Sequence, residues 1–115
     1  MHEFKKLKVW EKAMDMSVEV YKLTASFPTE EKYGLTSQMR KCSVSVPSNI
    51  SEGAGRNTKG EFKHFLGIAN GSAFELTTQT ILAQRLGLIT SEKVAGILNL
   101  LDEIQKMTHA LMRTM

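Results

Sequence analysis

Two rows of apolar or small positions run through the first quarter of the chain. One is Leu7, Trp10, Met14, Ser17, Tyr21 and Thr24; the other is Val9, Ala13, Met16, Val20, Leu23 and Phe27. Both step by three and four, the spacing of one helix face. The pattern predicts a helix over about 7–27 with a wide apolar face. Lys8, Glu11, Lys12, Asp15, Glu19 and Lys22 form its solvated stripe. Pro28 ends it, because the residue before a proline avoids helical angles. A polar stretch follows, in which Thr29 is placed to cap one turn and Gly34 breaks it.

A second helix is predicted from near Leu35, with Leu35, Met39, Cys42, Val46 and Ile50 on one face. Pro47 falls inside it. Proline has no N–H for the Ser43 carbonyl, so a kink is expected there. Small residues surround it, and serine hydroxyls are suited to the carbonyl that proline frees. Thr58 followed by Glu61 reads as a capping box for a third helix over about 59–86, with an inner row of Phe62, Leu66, Ala69, Ala73, Leu76, Thr80 and Ala83. Gly87 sits where a left-handed helix cap belongs. Thr90-Ser91 caps a fourth helix carrying Val94, Ile97, Leu101, Ile104, Thr108 and Leu111. Short connections make neighbouring helices antiparallel. The expected fold is all-α: one domain over 1–115, an antiparallel up-and-down four-helix bundle with a proline-kinked second helix. Ile68, Leu82, Leu86, Leu88 and Ile89 widen the apolar surface of the third segment beyond one bundle seam, which points to self-association.

Composition adds little: 115 residues, 42% hydrophobic and 23% charged, within the globular range. The single cysteine, Cys42, allows no internal disulfide and suits a reducing compartment. No apolar run resembles a signal peptide or reaches membrane-spanning length, so the expectation is a cytoplasmic protein without membrane contact. The net charge of +3 tilts weakly toward polyanions.

Chemistry is sparse. His2, His64 and His109 lie far from one another and from Cys42, so no metal-ligand spacing exists. Arg40 and Lys41 would lower the Cys42 pKa, yet no histidine stands by to make a nucleophile. The run from Glu52 to Arg56 lacks the strand and lysine of a phosphate loop. The expectation is a protein that is not an enzyme, with no cofactor and no metal.

Two polar groups stand out. Ser45, Ser48, Asn49 and Glu52 recur along the second helix with Arg40 and Arg56, and Glu75 lies on the third helix beside its inner row. A pairing of Glu75 or Glu52 with Arg40 or Arg56 fits the rule that semi-buried carboxylates take basic partners. This group reads either as a network fixing helix register or as a ligand or partner site around Pro47. Basic residues cluster at Lys5, Lys6, Lys8 and Lys12, at Arg40 and Lys41, and at Arg56, Lys59 and Lys63. The last set opens the third helix beside glycine amides, which suits an anionic partner; a solvated face is the alternative.

The segment YGLTSQMRKCSVSVPSNISEGAGR, residues 33–56, resembles the signature of the four-helix-bundle family of 23S rRNA intervening-sequence proteins. The first helix, LKVWEKAMDMSVEVYKLTASFP, the third, EFKHFLGIANGSAFELTTQ, and the trailing LAQRLGLI resemble it too, so the likeness covers about 7–112. Lys41 and Cys42 depart from the arginine and alanine of many relatives. The resemblance implies a bacterial four-helix bundle. A related member, the accessory variability determinant of diversity-generating retroelements, is a homopentamer that binds nucleic acid and a reverse transcriptase. For this chain the resemblance therefore implies a homo-oligomer, a pentamer foremost, whose partner is rRNA or other structured nucleic acid, or a protein that handles nucleic acid. Five copies would together carry about +15. The competing expectation is a structural or protein-interaction module with no nucleic-acid role.

Overall fold

A computed structural model describes residues 3–115, apart from the side chain of Lys6; the readings placed on His2 and on the Lys6 side chain lie outside the described residues. Four helices account for most of the chain: α1 (Lys8–Thr24), α2 (Leu35–Ala54), α3 (Lys59–Arg85) and α4 (Ser91–Met112). Short 3-10 turns stand at Phe4–Lys6 and Thr29–Glu31, and no strand occurs among the described residues. The helices form a closed ring of neighbours. α1 packs on α2 and α4, and α3 packs on the same two. Helix α3, 27 residues long, measures about 40 Å at 1.5 Å per residue, close to the 43 Å long axis of the molecule.

Each inner row becomes core. Val9, Ala13, Met16, Val20, Leu23 and Phe27 are all buried, as are Phe62, Leu66, Ala69, Ala73 and Leu76 of α3. The other α1 row divides: Ser17 and Thr24 are buried, while Met14 and Tyr21 are exposed. Contacts between α2 and α3 run in opposite sequence order. Gly53 abuts Phe62 and Phe65, whereas Cys42, earlier in α2, meets Ser72 and Glu75, later in α3.

Helix α2 continues through Pro47. The freed carbonyl of Ser43 accepts a hydrogen bond from the Ser17 hydroxyl of α1 at 2.8 Å. Both residues are buried. The missing intrahelical bond is therefore replaced by one between helices.

The ends of the helices follow from side-chain chemistry. The Thr58 hydroxyl accepts from the Glu61 N–H at 3.1 Å and donates to the Glu61 carboxylate at 3.0 Å. The Thr90 hydroxyl accepts from the Lys93 N–H. Gly87 takes φ +76°, and the Leu88 and Gly87 amides donate to the Ala83 and Gln84 carbonyls, a Schellman cap. Two local readings are corrected. Thr29 lies within a 3-10 turn that has no side-chain cap; the Glu31 carboxylate instead accepts from the Leu35 N–H at the start of α2. Ile89 is buried and Leu88 packs against the core, because the chain doubles back after Gly87; only Ile68, Leu82 and Leu86 of the expected apolar surface are exposed.

Candidate functional site

The basic residues fall into three environments. The first 3-10 turn, the end of α2 and the start of α3 share one end of the bundle, where Phe4 and Trp10 line a groove with Ser51 and Gly53 abuts Phe62. The last turns of α4 lie there too, since Leu111 borders Lys8 and Met112 approaches Gly67. Lys5, Lys8, Lys59 and Lys63 are exposed at this end and make no ion pair among the described residues. Lys12 is half-buried and tied to Glu103 of α4.

Arg56 is at the same end but engaged. Its guanidinium lies 3.7 Å from Glu52 and 3.8 Å from Glu61, and stacks over Phe65 at 4.8 Å. The expected Glu52–Arg56 pairing is present, as a solvent-exposed pair of small energetic weight. Arg40 belongs elsewhere. It crosses to α1, where Nε donates to the Thr24 hydroxyl at 2.8 Å and another guanidinium nitrogen donates to the Tyr21 carbonyl at 3.2 Å. Its guanidinium lies 4.7 Å from the Tyr21 ring centre. Thr24 and Tyr21 thus replace the carboxylate partner expected for Arg40.

The polar group on α2 also separates. Ser45 and Asn49 face α3: the Ser45 and Ser72 hydroxyls are 2.8 Å apart, and the Asn49 amide donates to the Ser45 carbonyl at 2.8 Å and hydroxyl at 3.0 Å. Glu75 is exposed rather than semi-buried and has no ion-pair partner among the described residues. It accepts from the Cys42 thiol at 3.4 Å. Ser48 lies on the other side of α2, in a groove of about 520 Å³ against α1 whose apolar wall includes Trp10, Met14, Val18, Tyr21, Val44 and Pro47. Glu52 is exposed, with Arg56. Ser45, Asn49 and Glu75 therefore share the α2–α3 side, while Arg40 and Ser48 face α1.

Cys42 is buried at that α2–α3 seam. Burial, and then the Glu75 carboxylate beside it, push its thiol up to about 12. The expectation that Arg40 and Lys41 lower it is overturned: adjacent residues on a helix point in different directions, and a carboxylate from α3 faces the sulfur. The thiol also donates to the Ser72 carbonyl at 3.1 Å. A neutral, buried thiol is a poor nucleophile. Exposed His64 packs edge-on against Phe65, and His109 is exposed on α4. No group of three or more His, Cys, Asp or Glu among the described residues is placed to hold a metal ion. Among the described residues, no helix is long and apolar enough to cross a membrane.

Sequence reasoning did not find Gln38 and Gln79, which line the α2–α3 cleft with Glu75, or Ser72, which bonds Ser45 across it. A signal was available: Ser72, Glu75 and Gln79 follow at three and four residues, hence on one face of α3.

The comparisons agree with this architecture. Comparison with the curated proteins returned no match. Among solved structures, the chain is similar to a protein of unknown function from the S23 ribosomal protein family of Bacteroides thetaiotaomicron. The TM-score is 0.85 at 25% identity, over 91% of this chain and 95% of the other. The family model described as 23S rRNA-intervening sequence protein matches residues 5–110. By that match, which spans nearly all four helices, the chain belongs to the family of 23S rRNA-intervening sequence proteins.

Proposed function

We propose that this chain is a non-catalytic, homo-oligomeric cytoplasmic protein that binds structured RNA through the basic end of its bundle. The observation that carries the reading is the set of exposed lysines at that end, Lys5, Lys8, Lys59 and Lys63, free of ion pairs among the described residues. Free ammonium groups suit phosphate contacts, which give affinity with little base reading. Repetition in a homo-oligomer, a pentamer by likeness to the family, multiplies the modest charge of one chain. The apolar α1–α2 groove and the exposed Ile68, Phe74, Leu82 and Leu86 of α3 support self-association.

The test is a fluorescence-anisotropy titration with rRNA fragments at two salt concentrations. Binding is expected to fall steeply with salt. Replacing Lys59 and Lys63 together by alanine is expected to flatten the slope by about one for each phosphate that no longer meets a lysine. Absence of binding at low salt removes the RNA reading. Light scattering on the same sample reads the oligomer.

The same exposed apolar surfaces favour a second reading, a protein-interaction module whose partner handles nucleic acid or has no nucleic-acid role. Arg56→Ala separates the two. In an interaction module it breaks the oligomer or lowers thermal stability; in an RNA binder it leaves both intact and weakens RNA binding.

A further inference from the structure

Each chain carries two apolar surfaces of opposite shape on different faces. The first is concave: the α1–α2 groove, about 520 Å³, is walled by Met14, Val18 and Tyr21 of α1 and by Val44 and Pro47 of α2. The second is a ridge. Ile68, Gly71, Glu75, Thr78 and Leu82 are exposed and follow at three and four residues, so they form one outward stripe of α3, which Leu86 extends. The opposite face of α3, with Leu66, Ala69, Ala73 and Leu76, is core. A helix with apolar side chains on both faces is normally covered on both. The bare area is substantial: Met14, Val18, Tyr21 and Val44 are 39–49% exposed, and Ile68, Leu82 and Leu86 are 40–57% exposed.

The two surfaces stand at the same height along the bundle. Ser17 of α1 bonds the Ser43 carbonyl of α2, and Cys42 beside it bonds the Ser72 carbonyl of α3. Met14 and Val18, which flank Ser17, are therefore level with the turn from Ile68 to Ser72. Charges match there too. Lys22 is the one charged side chain lining the groove among the described residues, held only by an exposed pair with Glu19 at 3.8 Å. Glu75 places on the ridge a carboxylate with no ion-pair partner among the described residues. Arg40 bonds the Tyr21 carbonyl next to Lys22, and Cys42, two residues on, meets Glu75. Lys22 and Glu75 thus lie within about one helical turn, about 5.4 Å, of one height.

We infer that the α3 ridge of one copy seats in the α1–α2 groove of the next, with Glu75 toward Lys22, so that copies join head to tail into a closed ring. This rests on the homo-oligomer proposed above and adds which faces mate. Ridges into grooves is how helices pack. One such contact covers both surfaces in every copy, whereas one self-complementary contact leaves one of them bare. Equal height lets the rotation close about an axis along the bundles instead of climbing into a filament. Every basic end, with Lys5, Lys8, Lys59 and Lys63, then lies on the same face of the ring.

The test is size-exclusion chromatography with light scattering on the full-length protein, with Val18→Glu in the groove and Ile68→Glu on the ridge. Circular dichroism checks that both keep their helices. Should either not, Val44→Glu replaces the first and Gly71→Glu the second; a Cβ at Gly71 meets no atom within 4 Å. Each variant alone is expected to lose the wild-type oligomer and run as a monomer. In an equal mixture the intact ridge of the Val18→Glu chain meets the intact groove of the Ile68→Glu chain, and a 1:1 pair with twice the mass of one chain is expected. Glu75→Lys is expected to weaken assembly severalfold, and Lys22→Glu in the same chain to restore it. A folded variant that keeps the wild-type mass overturns the assignment, and so does a mixture that stays monomeric. A groove-on-groove dimer would show itself by surviving Ile68→Glu alone. A monomeric wild type overturns the homo-oligomer itself and leaves the groove to a different protein, whereas an oligomer that both variants leave intact overturns only this pairing of faces.

Discussion

Ser17→Ala isolates the hydrogen bond by which the bundle accommodates Pro47. In the native structure the Ser17 hydroxyl lies 2.8 Å from the Ser43 carbonyl and 3.1 Å from that of Ala13. The Ala13 carbonyl is four residues back on the same helix, within reach of the Ser17 amide. The Ser43 carbonyl has no such alternative, because residue 47 is proline. Ser43 is fully buried and Ser17 nearly so. Leaving a buried carbonyl unpaired costs about 1–3 kcal/mol. Alanine's better helix propensity returns up to about 0.5 kcal/mol. The net expectation is a loss of about 0.5–3 kcal/mol, or roughly 2–12 °C in melting temperature for a chain of this size.

The assay is urea and thermal unfolding followed by circular dichroism, at one fixed protein concentration because self-association couples to stability. The control is a double-mutant cycle with Pro47→Ala. Alanine at 47 supplies an N–H to the Ser43 carbonyl within α2, so Ser17→Ala in that background should cost less than about 0.5 kcal/mol. Equal losses in both backgrounds, or no loss in the native one, would refute the role assigned to this hydrogen bond.

Two further outcomes are expected. Gly53→Ala places a methyl 2.8 Å from the Phe65 Cβ and 3.2 Å from the Phe62 carbonyl, backbone that cannot swing away; overpacking of this kind costs about 1–3 kcal/mol and should appear as a lowered melting temperature. Cys42 keeps its proton in the folded state up to about 12, whereas the unfolded thiol releases it near 9.0. Stability should therefore fall as pH rises from about 9 toward 12, Cys42→Ala should flatten that part of the pH profile, and iodoacetamide at pH 8 should label Cys42 only in denaturant.

The local grammar of this chain is legible because it is local. Thr58, Thr90 and Gly87 act within a turn of their own positions, and the row from Val9 to Phe27 needs only the helical period to predict its burial. The candidate site is less legible because it depends on which way each helix is turned. Arg40 and Ser48 group with Ser45 and Asn49 along the sequence of α2, yet the first pair faces α1 and the second faces α3. The same rotation brings Glu75 of α3 to Cys42, against the influence expected of Arg40 and Lys41, its neighbours in sequence. Ile89 shows the reverse error: an apolar continuation of α3 by period, it becomes core because the turn at Gly87 redirects the chain.

The close approach at Gly53 also bears on the order in which the chain folds. Its neighbours, Phe62 and Phe65, lie only a short way along the sequence, across the turn at Gly55–Thr58. Closing so short a loop sacrifices little chain entropy, whereas docking α1 on α4 must bring together nearly the whole length of the polypeptide. The missing side chain at Gly53 lets the buried Phe62 and the half-buried Phe65 meet α2 at that first corner. The physical expectation is a nucleus at the α2–α3 hairpin, with α1 and α4 added to it, and Gly53→Ala slowing folding more than it speeds unfolding.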